Sequence, residues 1–192
     1  MRHACEAVVL GASAGGVEAL LTVFSALPAA FSLPVVAILH LPEGRQSELS
    51  TVFERRLRRP VREAQDKAVM ERGIIYVAGP SYHLSIERDH SFSLSLEPRV
   101  HFSRPSIDVL FDSAADAYGA GLAGVLMTGA SQDGASGLAA IQQAGGLTVV
   151  QDPAEAKVAT MPQAALELLQ PDHILTLHGI GELLADLETG KC

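Results

Sequence analysis

The sequence predicts an α/β fold: a doubly wound, mostly parallel sheet with helices on both faces and one added antiparallel hairpin. Three observations predict it. Short continuous apolar runs, EAVVL at 6–10, PVVAILHL at 34–41 and GLAGVLM at 121–127, read as strands buried on both faces. Segments with apolar residues at helical spacing alternate with them, which is the βαβ rhythm of a parallel sheet. One stretch departs from that rhythm. YHLSIE and SFSLSLE alternate apolar and polar residues on either side of Arg88-Asp89-His90, as a hairpin with one face in solvent does.

The elements follow in order. After the first strand, Gly16 to Leu27 reads as a helix with Val17, Leu20, Leu21, Phe24 and Leu27 at helical spacing, ended by Pro28. A helix from about Gln46 to Leu57 follows the second strand. GIIYVAG at 73–79 is β-rich, and the hairpin comes next. Pro105 starts a helix over Ser106 to Tyr118. The strand at 121–127 is followed by a helix from Gly134 to Ala144 and a strand at 147–151. Pro162 opens a further helix, HILTL is a strand, and the last dozen residues are helical. No internal repeat, low-complexity tract or linker interrupts this pattern, so residues 1–192 read as a single domain.

Composition narrows the function. The chain has 192 residues, is 48% hydrophobic and 19% charged, and carries a net charge of −8. Such a chain can bury a proper core. Its charge argues against nucleic acid as a partner, because phosphate neutralisation needs a basic surface. No apolar run approaches the roughly 18 residues of a membrane span. The segment MRHACEA is too short and polar for a signal peptide. Cys5 and Cys192 have neither metal-ligand nor disulfide spacing. A reducing cytoplasm is the expected compartment. The cluster Arg55, Arg56, Arg58 and Arg59 reads first as a solvated helix end, with a docking patch as the alternative.

In an open parallel sheet, ligands bind beyond the carboxyl ends of the strands. Three such ends carry chemistry here. Gly11-Ala12-Ser13-Ala14-Gly15 follows the first strand, His40 ends the second, and Thr128-Gly129-Ala130-Ser131-Gln132-Asp133-Gly134 follows the strand near Met127. A serine needs a general base to become a nucleophile, imidazole suits that task, and a carboxylate orients the imidazole. Ser13, His40 and Asp133 are therefore the candidate catalytic set. Their chain order differs from that of ordinary α/β-hydrolases. The backbone N–H groups of Ala14 and Ala130 are the candidate oxyanion donors, Ala14 because a helix begins beside it.

Structural readings stand beside each of these. Ser13 could cap a helix, His40 could be a hydrogen-bonded strand-end residue, and Asp133-Gly134 could be a turn or cap pair. His83, His90, His173 and His178 read as surface or structural residues, and His3 and His101 have no partner pattern. No histidine pair has the i, i+4 spacing of a helical zinc site, so neither metal nor cofactor is expected. Asp108, Asp112 and Asp116, at helical spacing, read as a solvated face. Arg104 is a candidate for shaping the site mouth. A nucleotide-binding reading of the glycine turn lacks both G-x-G-x-x-G and a G-K-[ST] ending.

The chain resembles the catalytic domain of the bacterial chemotaxis protein-glutamate methylesterases (CheB-type). The resemblance rests on GASAGG at 11–16, His40-Leu41-Pro42, RPSIDVLF at 104–111, the block from Thr128 to Leu138, and Met161-Pro162. It implies a serine hydrolase that removes methyl esters from glutamate side chains on the cytoplasmic helices of chemoreceptors. Deamidation of receptor glutamines would accompany this in many members. It also implies the catalytic roles of Ser13, His40 and Asp133. An inactive receptor-binding scaffold of the same fold is the alternative. Two departures stand out. Ala130 and Ser131 replace the family's Met and Gly, and the glycine would matter if the backbone there were left-handed. A receiver domain typically precedes the catalytic domain, and this chain starts just before its first strand. The expectation is either a stand-alone member, answering, if regulated at all, to a separate protein, or a fragment.

Overall fold

The computed structural model describes residues 4–40 and 48–187. Leu41 and Pro42, the expected start of a helix at Gln46, and the last residues of the expected C-terminal helix lie outside them, as do His3 and Cys192.

Seven parallel strands form the main sheet: β1 (Ala7–Ala12), β2 (Val35–Leu39), β3 (Val61–Glu63), β4 (Ile75–Val77), β7 (Leu122–Leu126), β8 (Leu147–Gln151) and β9 (His173–Leu175). Their order is β3-β4-β2-β1-β7-β8-β9. The chain leaves β1 in one direction and returns to pair β7 on its other side. The strand order therefore reverses at β1, which makes the carboxyl ends of β1 and β7 the crevice where such sheets bind ligands.

Alternate residues of β1 explain the layering. Val8, Leu10 and Ala12 pack in one hydrophobic cluster with α1 (Gly16–Ser25), α2 (Leu49–Leu57) and α6 (Leu177–Leu187). Ala7 and Val9 face the other way, into a cluster built by α3 (Ile107–Tyr118), α4 (Ala135–Gln143), α5 (Thr160–Leu168) and the hairpin. A strand covered on both sides has no solvent face, and this is why its sequence is continuously apolar. The hairpin, β5 (His83–Ile86) and β6 (Phe92–Ser95), is a separate antiparallel pair. It buries Leu84, Ile86 and Phe92 against the α3 layer and leaves Ser93 and Ser95 only partly covered.

The expected α/β order holds, with three differences. β3 escapes the sequence reading because it has only three residues at a sheet edge, one of them an exposed arginine, and so shows no apolar run. β1 continues two residues further than EAVVL, since Gly11 and Ala12 pair with Ile38 and Leu39. Pro162 lies third in α5 and not at its start. The first-turn N–H groups of a helix lack intrahelical partners, so proline is tolerated there.

Candidate active site

Sheet register brings Ser13 and His40 together. Ala12 pairs with Leu39, and the His40 N–H donates to the Ala12 carbonyl at 3.1 Å. On the other side, the Ser13 N–H donates to the Thr128 carbonyl at 2.9 Å. Ser13 thus sits on the central strand's carboxyl end, held by its backbone. The turn that follows closes with the Gly16 N–H on the Ser13 carbonyl at 2.8 Å. Gly15, at φ 82, is the N-cap of α1, so the cap position carries no side chain. This removes the reading of Ser13 as a cap. It also separates the turn from a strained nucleophile elbow, because the left-handed residue is Gly15, where glycine is at ease, and not the serine.

The opposite wall of the crevice is close. A Cβ on Gly129 would stand 2.5 Å from Met161 Cε and 3.0 Å from Ser13 Cβ, so a larger residue there would have to displace the Met161 side chain. Thr128 ties this wall to the serine turn. Its hydroxyl donates to the Ala14 carbonyl at 2.8 Å and accepts the Val158 N–H at 3.0 Å.

Asp133 arrives by another route. It is fully buried, and its Oδ2 lies 2.7 Å from His40 Nε2. The same carboxylate accepts Ser106 Oγ at 2.7 Å, the Ile107 N–H at 2.7 Å and the Asp108 N–H at 3.1 Å. It therefore caps α3, not α4 as the cap reading supposed. Asp108 does the reciprocal service. Its Oδ1 accepts the N–H groups of Gly134 (2.9 Å) and Gly137 (2.7 Å) at the start of α4. Each helix start is capped by an aspartate at the other's.

The electrostatics follow from these bonds. Burial pushes the Asp133 carboxyl up, but the donors from His40, Ser106, Ile107 and Asp108 outweigh it and hold the group below the usual aspartate value. Asp108 shifts upward, chiefly by burial, with the neighbouring Asp133 charge adding to it. A carboxylate that stays charged fixes the neutral imidazole with its proton on Nε2, leaving the Nδ1 lone pair for other work. Ser103 Oγ lies 3.5 Å from that Nδ1. Among the described residues, Ser13 Oγ makes no hydrogen bond with His40.

Ala14 and Ala130 are exposed, and among the described residues neither backbone N–H donates to a protein acceptor. Ser131 is not left-handed, and its hydroxyl accepts the Asp133 N–H at 3.1 Å, so the departure from glycine is accommodated and helps hold the loop. The solvated aspartate face needs correction: Asp112 and Asp116 are exposed, but Asp108 is buried by its capping role. His101 does have partners, Asp108 Oδ2 at 3.3 Å and Gln132 Nε2 at 3.1 Å. His83 is buried and structural, with Nδ1 accepting the Ser106 N–H and Nε2 donating to the Pro98 carbonyl. Arg104 braces the hairpin exit through the Leu96 and Glu97 carbonyls. In the arginine cluster, Arg59 holds the Leu27 and Pro28 carbonyls beyond the end of α1. Ser103, Ser106 and His101 were missed because their contacts are tertiary. The one available signal was their place in or beside the RPSIDVLF block.

An α/β sheet with a serine and a histidine in register at its reversal point, and a buried carboxylate on the histidine, brings together the residue types that serine hydrolysis uses. A family model described as CheB methylesterase matches residues 8–184, and the chain belongs to that family. A Leptospira interrogans protein, provisionally named protein-glutamate methylesterase/protein-glutamine glutaminase, is 45% identical over 95% of both chains. Protein-glutamate methylesterase/protein-glutamine glutaminase 3 of Pseudomonas aeruginosa is 37% identical over 94% of this chain, which spans 54% of that relative. The crystal structure of the Thermotoga maritima CheB methylesterase catalytic domain superposes with a TM-score of 0.91 at 28% identity, covering 96% of this chain and all of that one. Among the described residues, no helix is long and apolar enough to cross a membrane.

Proposed function

We propose that this protein hydrolyses γ-methyl esters of glutamate side chains on chemoreceptor signalling helices, with Ser13 as nucleophile, His40 as base and Asp133 as its orienting carboxylate. The observation that carries this reading is the 2.7 Å contact of buried Asp133 with Nε2 of His40, a residue that strand register sets beside Ser13. In the proposed reaction, Ser13 Oγ attacks the ester carbonyl carbon while His40 Nδ1 takes the hydroxyl proton. The tetrahedral oxyanion is held by the Ala14 and Ala130 N–H groups, which donate to no protein acceptor among the described residues. Collapse breaks the C–O bond, and His40 returns the proton to the departing methanol. Water then attacks the acyl-serine, giving one proton to Nδ1; collapse breaks the acyl bond to Ser13 Oγ, His40 returns that proton to the serine, and glutamate leaves as the carboxylate after losing its remaining proton to solvent. A receptor glutamine would follow the same steps with ammonia as the leaving group.

The buried carboxylate hydrogen-bonded to the His40 imidazole disfavours an inactive scaffold. The test is methanol release from membranes carrying a methylated chemoreceptor, with ammonia release from a glutamine-bearing receptor as the second arm. Methanol production abolished by His40→Gln supports the reading. A folded wild-type protein that releases no methanol contradicts it.

A further inference from the structure

The turn over residues 100–103 is built against its own residue preferences. Val100 and Ser103 exchange backbone hydrogen bonds, Ser103 N–H to the Val100 carbonyl at 2.8 Å and Val100 N–H to the Ser103 carbonyl at 3.2 Å. The two residues between them, His101 (φ 47) and Phe102 (φ 63), are both left-handed. Such two-residue turns strongly favour asparagine and glycine, because a Cβ is strained there. Strained backbone persists only where its surroundings over-determine it. Here two of the turn's four residues are tied to the site: His101 to Asp108 and Gln132, and Ser103 to His40 Nδ1.

The tip of this braced turn carries Phe102, whose exposure is 94%, the highest among the exposed large apolar residues. Nothing in the described structure covers it. Leu96, 64% exposed, belongs to the strand exit whose carbonyl Arg104 grips, next to the same turn. A solvated phenylalanine ring leaves the free energy of its burial unclaimed in the isolated protein, and aromatic residues are enriched at recognition surfaces.

We propose that Phe102 is a specificity-determining substrate contact: its ring docks on the apolar face of the α-helix that carries the ester, beside the glutamyl side chain delivered to Ser13. This rests on the methylesterase reading above. A helix is the occupant because it offers an apolar residue one turn from the reacting side chain, on the same face, and Ser103 links the turn that carries Phe102 directly to His40. A small free ester has nothing to offer the ring.

The experiment compares kcat/KM on membranes bearing a methylated chemoreceptor with kcat/KM on the γ-methyl ester of N-acetylglutamate, for wild type, Phe102→Ala, Phe102→Ser and Phe102→Leu, with thermal melts of each. The expected result is a ten- to hundred-fold fall in the receptor-to-small-ester ratio for Phe102→Ala and Phe102→Ser, carried by KM. This is the factor that burial of such a ring corresponds to. Phe102→Leu should restore most of it. A ratio that falls less than fivefold overturns the proposal, including the case in which both substrates suffer equally because the turn only supports His40. A wild-type enzyme that cleaves the small ester and not the receptor overturns the underlying reading and the proposal with it, whereas wild-type receptor activity with an unmoved ratio overturns this proposal alone.

Discussion

The two halves of the candidate site are held in different ways. The Ser13–His40 edge is held by main chain: parallel register and the turn into α1 set both residues, and their side chains remain partly exposed. The Asp133 side is held by side chains: a buried carboxylate with four hydrogen bonds, set where two helix starts cap each other. Substitutions at the edge should therefore remove chemistry and spare the fold, and substitutions at the helix junction should cost both.

His40 lies between the two regions, and the largest effect is expected there. His40→Gln should lower kcat/KM by about 10³-fold or more, as loss of any member of a serine triad does, with only modest destabilisation. A retained rate in a folded variant would break the link between the halves.

Asp133→Asn comes next. It removes the charge that stabilises the imidazolium and turns an amide donor toward groups that already donate. Activity should fall by about 10²–10⁴-fold. Unlike a residue capping an exposed helix end, Asp133 should also cost about 1–3 kcal/mol of unfolding free energy, because its donors are buried. The folded carboxyl titrates below the ordinary aspartate value, so its stabilisation is fully present above about pH 3.9 and lost as pH falls through the depressed folded value. Denaturant melts between pH 7 and pH 2.5 should show the wild-type advantage over Asp133→Asn constant down to about pH 4 and shrinking below it. An advantage independent of pH would show that the charge contributes nothing to the fold.

Asp108→Ala sharpens the comparison without touching the imidazole. Loss of the α4 cap should cost about 1–2 kcal/mol, and activity should fall by about tenfold as Gly134, next to Asp133, loses its anchor. Asp108→Asn should recover much of the stability, since asparagine also caps. Equal loss in both variants, read by melting and turnover, would point to the His101 contact and not the cap.

This contrast also decides what the sequence could reveal. Ser13 and His40 were legible because a parallel sheet reads its strand ends directly from apolar runs. Asp133 was legible only as a residue beyond a strand end. Its work on α3 was invisible, because a cap supplied from 26 residues away leaves no local pattern. Asp108 misled for the same reason: helical spacing put it in line with exposed Asp112 and Asp116, and only the packing of α3 on α4 buries it. β3 was missed because register with β4, and not its own residues, makes it a strand.

The smallest effect belongs to Ser131. Its hydroxyl holds the Asp133 N–H, and its backbone is unstrained, so Ser131→Ala should cost under about 1 kcal/mol and no more than a few-fold in rate. A loss as large as that of Asp133→Asn would mean that the loop's own hydrogen bond, and not the α3 cap, sets the carboxylate.

The central claim is that Ser13 is the nucleophile, presented by a backbone that does not depend on its side chain. Methanol release from methylated receptor membranes, measured on Ser13→Ala beside its denaturant melt, tests it most directly. The account predicts loss of at least about 10³-fold in rate with unfolding free energy within about 0.5 kcal/mol of wild type. Methanol released at near the wild-type rate by a folded Ser13→Ala protein would contradict it.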